Sequence, residues 1–422
     1  MLETDRVLSG NYGETIVHRH GTFRASSPEE TLKVAWRAAK LCGVSRLAGI
    51  TGLDSIGVPV WSAIRPLARS LSVSQGKGLT DVLAQVSGLM EAIENFHAEN
   101  LLPPSIRRSM RAVLRDSEFV AVETLPIRAN RRLDFESIVD WLEAHSIVTG
   151  KTRWIPKELI DLDATQIYDG LFVSSSNGLA SGNSGAEALL HALCEVLERD
   201  QISHWLVVEY LRSDGTRRRL ELSGGLPVAA EQVVTMIERA GLEVAVWHSS
   251  ITTDVPCFFC SIADARGNTL FPQLSTGYGC HPSKEIALLR ALTEAVQSRV
   301  TFISGSRDDL FVNVYRDDIP VDRAVNRDWL TRMRSASATL SYEQIPDFEN
   351  FDNFPKAIEF VVSRMLQAGI SDVVALDLTN EKIGIPVLYV CAPLAEFDLP
   401  SAAADPGLRL CSFLRTQTQH RN

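Results

Sequence analysis

What this chain lacks narrows its function before any motif is read. No window approaches the ~18 consecutive apolar residues of a membrane-spanning helix, and the opening Met-Leu-Glu-Thr-Asp-Arg has no charged-then-apolar signal pattern. There is no low-complexity block, and Gly76-Lys77-Gly78-Leu79 lacks the spacing of a P-loop. Cysteine is sparse: the seven are odd in number and scattered, which reads as reduced thiols in a cytoplasmic protein rather than a disulfide framework. Cys257-Phe-Phe-Cys260 has CxxC spacing, but it sits in an apolar strand-like run with no second pair and reads as core. Positive charge is in deficit, with 42 basic against 52 acidic residues and a net charge of −10. That balance disfavours non-specific binding to nucleic acid or anionic membrane. An anionic substrate would therefore need local basic groups and a metal.

The 422 residues, 45% of them hydrophobic, are ample for a sizeable core. Residues 1–25 are a polar, mixed N-terminal segment containing His18 and His20. Ser27-Pro28-Glu29-Glu30 is a helix start, with Ser as N-cap and Pro in the first turn, and the helix runs to about Cys42. Residues 45–75 are short and extended. Helices are expected at about 79–100, 185–211, 226–241, 283–303 and 354–368. Strands are expected near 242–249, 255–264, 269–275, 371–378 and 385–393. The stretch 105–170 reads as an insertion with a strand near 118–125 and a helix at 135–146. Residues 396–422 read as a weakly ordered tail. The chain is thus a mixed α and β protein with one large domain over 26–395.

Three stretches stand out because they are versions of one another: Ser87-x3-Glu91-x2-Glu94, His191-x3-Glu195-x2-Glu198 and Arg290-x3-Glu294-x2-Gln297. Residues at i, i+4 and i+7 fall at about 0°, 40° and −20° around a helix, so each trio forms one polar stripe. Glycines precede each: Gly76 and Gly78, Gly178 and Gly182, Gly277 and Gly279, read as turns entering the helices. For one such helix, a solvated acidic face is the commonplace explanation. Recurrence in register argues for one site built from three similar parts. Glu187 adds a further acid to the second stripe. Glu91, Glu94, Glu187, Glu195 and Glu198 in one cleft would repel unless cations neutralised them. Mg²⁺ takes carboxylate oxygens, waters and substrate phosphates, so these acids with nearby basic residues suit Mg–nucleotide binding.

At Gly76-Lys77-Gly78, Ser87-x3-Glu91-x2-Glu94 and Asn183-x3-Glu187-x7-Glu195-x2-Glu198-Arg199-Asp200 the chain resembles the YcaO family. Thr51-Gly-Leu-Asp54, Gly57-Val-Pro59 and Arg290-Ala-Leu-Thr-Glu294-Ala-Val-Gln297-Ser-Arg299 extend the resemblance, which runs from about residue 25 to 310 and more loosely to 395. It implies an α+β YcaO-type fold, with mixed sheets, packed helices and internal repetition of a glycine-turn plus acidic-helix unit. It also implies an enzyme that uses ATP and Mg²⁺ to phosphorylate the oxygen of a peptide backbone amide, after which a nucleophile adds and phosphate leaves. On this sequence Lys77, Ser87, Glu91, Asn183, Glu187, Arg199 and Gln297 would contact nucleotide. Glu91, Glu94, Glu187, Glu195 and Glu198 would hold Mg²⁺. Arg199, Arg290 and Arg299 would face phosphates as catalytic groups.

Two features choose among the family's products. Azoline-forming members end in a PxPxP tail, whereas here Pro400 and Pro406 stand too far apart. Ser74-Gln-Gly-Lys-Gly78 with Met90-Glu-Ala-Ile-Glu94-Asn-Phe-His97-Ala-Glu99 is similar to members paired with TfuA proteins in thioamide formation. No leader-binding domain precedes the motifs, so recognition of a precursor peptide or protein is expected from a partner or from the catalytic domain itself. A sulfur donor is expected as well, and a homodimer is among the expected assemblies. The competing readings are an azoline-forming cyclodehydratase of a ribosomally made peptide and a non-catalytic nucleotide-binding accessory subunit.

Overall fold

The structure is a computed structural model that describes residues 15–166, 170–211, 218–264, 274–310, 315, 328–334, 338–397 and 403–419. Ser27 caps α1 (Pro28–Leu41) by accepting from the Glu30 amide at 3.3 Å, with Glu29 and Glu30 in the first turn where the helix dipole favours acids. Strands β1 (Arg46–Gly49), β2 (Val60–Ile64) and β3 (Val73–Lys77) form an antiparallel meander that leads into α2 (Asp81–Glu99). Next come β4 (Ser105–Ser109), the short α3 (Met110–Val113), β5 (Ile138–Ser146), β6 (Thr152–Pro156) and β7 (Leu179–Ser181), which leads into α4 (Gly185–Leu211). Helix α5 (Val228–Arg239) and strands β8 (Leu242–His248), β9 (Cys257–Asp264) and β10 (Leu274–Cys280) precede α6 (Lys284–Ser304). Helix α7 (Phe354–Gln367), β11 (Val374–Asp377), β12 (Val387–Cys391) and α8 (Leu408–Gln419) complete the chain.

Three sheets result. Two are three-stranded meanders, β1-β2-β3 and β8-β9-β10. The third runs β4-β5-β11-β12-β7, with β6 also paired to β5. In each, one strand (β3, β7 or β10) lies directly before a long helix and against it. Glycine makes that contact close. A Cβ at Gly76 would stand 2.0 Å from the Ala84 carbonyl oxygen, and one at Gly279 would stand 2.0 Å from that of Ala287. Gly76, Gly277 and Gly279 are therefore strand residues that let backbone meet helix, not the turn residues expected. The apolar sides of these helices fill the interior: Leu89 and Ile93 of α2, Leu193 and Leu197 of α4, and Leu288 and Leu292 of α6 are all buried.

Three local expectations fail. Residues 135–146 contain β5 instead of a helix, because Val139 and Trp141 alternate with exposed Ile138 and Asp140 on a two-residue period. The strand expected near 118–125 is reduced to an isolated parallel bridge between Phe119 and Trp154, followed by a 3-10 turn at Val122–Thr124. The expected weak tail over 396–422 contains α8, held by the Arg409 guanidinium on Asp200 and on the carbonyls of Leu394 and Ala368, while residues 398–402 and 420–422 lie outside the described residues. Residues 269–273 of the expected strand lie outside the described residues, and β10 begins at Leu274. Cys257 and Cys260 are buried on β9, as a core reading requires. No helix among the described residues is long and apolar enough to cross a membrane.

Candidate active site

Helices α2, α4 and α6, with the strands that precede them, enclose a cavity of about 590 Å³. The three stripes converge on it from different thirds of the chain: Ser87, Glu91 and Glu94; His191, Glu195 and Glu198; Arg290, Glu294 and Gln297. Glu187, Lys77 and Arg199 line it too. The acids therefore occupy an interior wall rather than a solvated outer face.

Five of these acids are anchored on backbone amides. Glu91 accepts the Gln75 amide of β3 at 3.3 Å, Glu94 the Ser181 amide of β7 at 2.7 Å, and Glu198 the Cys280 amide of β10 at 3.0 Å. Glu294 accepts the Tyr278 amide of β10 at 3.3 Å, and Glu187 the Ala25 amide at 2.9 Å. A strand edge that faces a cavity has amides without ladder partners, and each would be costly if left unpaired. The carboxylates satisfy them. One or two bonds from neutral amides do not cancel a full negative charge, however.

Burial consequently dominates several of these acids. It raises the Glu94 carboxyl to about 8 against the lowering hydrogen bonds from Ser181, and that of Glu195 to about 7 despite Arg199. It also raises Glu91 and Glu198 above the usual carboxylate range. Glu294 differs. Burial pushes it upward too, but Lys77, whose Nζ donates at 2.6 Å, leads the charges that hold it below that range.

The cationic side of the cavity is equally specific. Arg290 donates to His191 Nε2 at 3.0 Å, and burial followed by the Arg290 charge keeps that imidazole well below its ordinary pKa and neutral. Arg199 lies 3.8 Å from Glu198 and 5.1 Å above the Tyr278 ring. Gln297 Nε2 donates to the Gln75 carbonyl at 2.5 Å, tying α6 to β3. Asn183 stands behind the cavity wall. Its amide donates to both Glu187 oxygens at 3.1 and 3.0 Å, and its own oxygen accepts from Thr31 at 2.8 Å. Arg299 is not brought to the site. It pairs with Asp54 at 3.0 Å and is nearly buried. Lying nine residues after Arg290, it falls about 180° around α6 from the stripe.

The structure adds lining residues that the sequence reading left out. Arg24, 3.2 Å from Glu187, comes from a segment with no periodicity to mark it. Arg307 and Asp309, paired at 2.6 Å, come from the loop after α6. His191 and Glu294 did carry a signal, because they occupy stripe positions equivalent to Ser87 and Glu91.

The donor set suits a hard divalent cation. Among the described residues no three acids are already drawn together as a closed metal cage. Mg²⁺ does not need one, since it binds through one or two carboxylates, waters and substrate phosphates. Buried carboxylates held short of full neutralisation, facing Lys77, Arg199 and Arg290, form a surface for a metal-bound polyphosphate.

The comparisons agree with that chemistry. Residues 75–396 match the family model described as YcaO cyclodehydratase, ATP- and Mg²⁺-binding. An α+β architecture of this kind is shared with the YcaO protein of Methanopyrus kandleri bound with AMPPCP and Mg²⁺, at a TM-score of 0.72 and 25% identity over 92% of this chain and 97% of that one. A heterocyclase in complex with substrate and cofactor has the same fold, at a TM-score of 0.71 and 21% identity over 92% of this chain and 54% of that one. The class is thus that of ATP- and Mg²⁺-binding proteins. The chain belongs to the YcaO family. Among its relatives, an uncharacterised protein of Mycobacterium tuberculosis is 31% identical over 92% of this chain and 86% of its own length. An uncharacterised protein from the region 3′ of tfuA in Rhizobium leguminosarum bv. trifolii is 28% identical over 93% of each.

Proposed function

We propose that this chain uses ATP and Mg²⁺ to phosphorylate the oxygen of a peptide backbone amide and then admits sulfur at that carbon, giving a thioamide. A TfuA-like partner would assist. The observation that carries the reading is the convergence of glutamates from α2 and α4 with Lys77, Arg199 and Arg290 on one cavity. Glu91, Glu94, Glu187, Glu195 and Glu198 would hold Mg²⁺ directly or through water. Ser87, Lys77 and Gln297 would contact nucleotide, and Asn183 would act by fixing Glu187.

An amide oxygen is a poor leaving group, and conversion to phosphate removes that difficulty. Transfer of a phosphoryl group depends on positioning and on cations that meet its charge, which Arg199 and Arg290 supply. Arg290, held by His191, is aimed before substrate arrives. The bound metal would add charge stabilisation at the phosphates. Sulfur as the nucleophile is supported by the likeness to the relative from the region 3′ of tfuA.

The test incubates the protein with ATP, Mg²⁺, a sulfide source, its TfuA-like partner and a candidate peptide, and follows peptide mass. Replacement of oxygen by sulfur supports the proposal. Loss of one water instead indicates the azoline-forming reading, which the family's cyclodehydratase description favours. Nucleotide binding with no product from any peptide indicates an accessory subunit.

A further inference from the structure

The largest sheet has one strand at the cavity and, at its far end, one strand with an open edge. β7 lines the cavity through Leu179 and Ser181, while β4 lies at the opposite end of the order β4-β5-β11-β12-β7. Among the described residues β5 is the only strand paired with β4. Pro104 accepts from Glu143 and Met110 donates to Ser137. Antiparallel bonding alternates with a period of two, so residues 104, 106, 108 and 110 face β5. The amides and carbonyls of Ser105 and Arg107 therefore point outward, as does the Ser109 amide, while the Ser109 carbonyl caps α3.

An exposed strand edge is a template for pairing with another chain. Two further observations mark this one as used. Residues 105–111 carry Arg107, Arg108 and Arg111 and no acid, in a protein whose net charge is −10. Large apolar side chains also gather around the strand on the surface. Leu102 precedes it, Ile138 stands opposite Ser109, Leu114 follows α3, and Phe135 accepts the Arg111 amide through its carbonyl, with Leu102 and Ile138 64% and 65% exposed.

We infer that β4 docks an extended, acidic segment of another polypeptide as an added strand. Main-chain bonds would be made by Ser105 and Arg107 and by the Ser109 amide, and carboxylates would be met by Arg107 and Arg108. Arg107 is 3.5 Å from Asp140 with both side chains well exposed, a pair weak enough to exchange for a ligand carboxylate. A second copy of this chain fits poorly, because antiparallel self-pairing about Arg107 would set arginines opposite one another.

Resting on the reading of the cavity as the reaction site, the docked segment belongs to the substrate. Four inter-strand steps separate β4 from β7, about 19 Å at about 4.8 Å each. An extended chain advances about 3.3 Å per residue, so the reacting amide must lie at least about six residues from the docked segment.

The test uses the full chain and a fluorescein-labelled, end-capped peptide of alternating Glu and Val, read by anisotropy. Arg107→Pro removes an outward amide without touching the β5 ladder and should weaken binding at least tenfold. Arg107→Gln, which keeps the amide, should weaken it less. Arg107→Glu with Arg108→Glu should switch preference to a Lys–Val peptide, and this pair serves if the proline variant unfolds. Absence of peptide binding, equal affinity in Arg107→Pro, or a dimer that Arg107→Pro dissolves would overturn the inference. Thermal stabilisation by Mg–ATP should persist in every variant. Its absence from the unmutated chain would count against the nucleotide reading and leave the docking result interpretable.

Discussion

Helix α2 carries two glutamates of different kinds five residues apart, Glu99 buried and Glu94 half-buried at the cavity wall. Glu99, at its C-terminal end, receives the Arg65 guanidinium through both oxygens together with the amide and hydroxyl of Ser70. Glu94, one turn earlier, receives only Ser181, through its amide and hydroxyl. Helix α4 repeats the contrast. Asp200 is held by Arg409, the Glu396 amide at 2.9 Å and Thr252 at 3.2 Å. Glu198, two residues before it, has the Cys280 amide at 3.0 Å and Arg199 no nearer than 3.8 Å. Acids answered by a close cation hold the fold together. Acids answered mainly by amides have their carboxyls raised by burial instead, and their negative charge waits for a cation the chain does not itself contain.

The largest expected effect lies on the compensated side. Glu99→Gln leaves Arg65 buried without its counter-charge and should cost about 3–5 kcal/mol of unfolding free energy, measured by urea denaturation. Glu94→Gln keeps an acceptor for Ser181 and replaces a carboxyl that burial already holds largely neutral near pH 7, so the free protein should be as stable as before or more so. That variant should instead lose the roughly 2.7 kcal/mol of stabilisation that Mg–ATP confers at 100-fold excess over Kd. Equal behaviour of the two variants would break the contrast.

The pH dependence comes next in size. The Glu94 and Glu195 carboxyls titrate near 8 and 7 in the folded chain, against the ordinary 4.5. Between these limits the native state keeps protons that the unfolded state has released, so stability falls as pH rises from about 4.5 through 7 to 8. Urea midpoints across this range should decline for the free protein and flatten with saturating Mg–ATP.

Two smaller effects sharpen the picture. Lys77→Met removes the nearest cation from Glu294 and from the polyphosphate, and should raise the KM for ATP about fivefold, as expected of a half-exposed ion pair worth about 1 kcal/mol. Arg299→Met should lower stability through Asp54 while leaving that KM within about twofold, since its side chain lies away from the cavity.

Much of this was legible in the sequence, for a definite reason. Spacings of i, i+4 and i+7 survive folding because a helix is rigid, so the three stripes pointed where their periodicity placed them. The Ser27-Pro28 helix start was readable on the same local grounds. What depended on distant packing was not. Gly76 and Gly279 looked like turn residues, but their purpose is close approach to α2 and α6. The stretch 135–146 reads as a helix because the adjacent buried residues Trp141 and Leu142 blur the alternation that the remaining positions of β5 show. Helix α8 depends on Arg409 reaching Asp200, a contact more than two hundred residues apart along the chain. Arg24 joins the cavity from a stretch with no pattern at all, and Arg299 belongs to the phrase that carries the family resemblance although its helical position turns it away.

Glu94 and Glu195, raised to about 8 and about 7, are expected to hold protons until a metal–nucleotide complex displaces them. Calorimetric titration of a preformed, non-hydrolysable Mg–nucleotide at pH 7, repeated in buffers of different ionisation enthalpy, counts the protons released. The account predicts release of about one proton or more, reduced in Glu94→Gln. Binding with no proton release, or release unchanged in that variant, would contradict it.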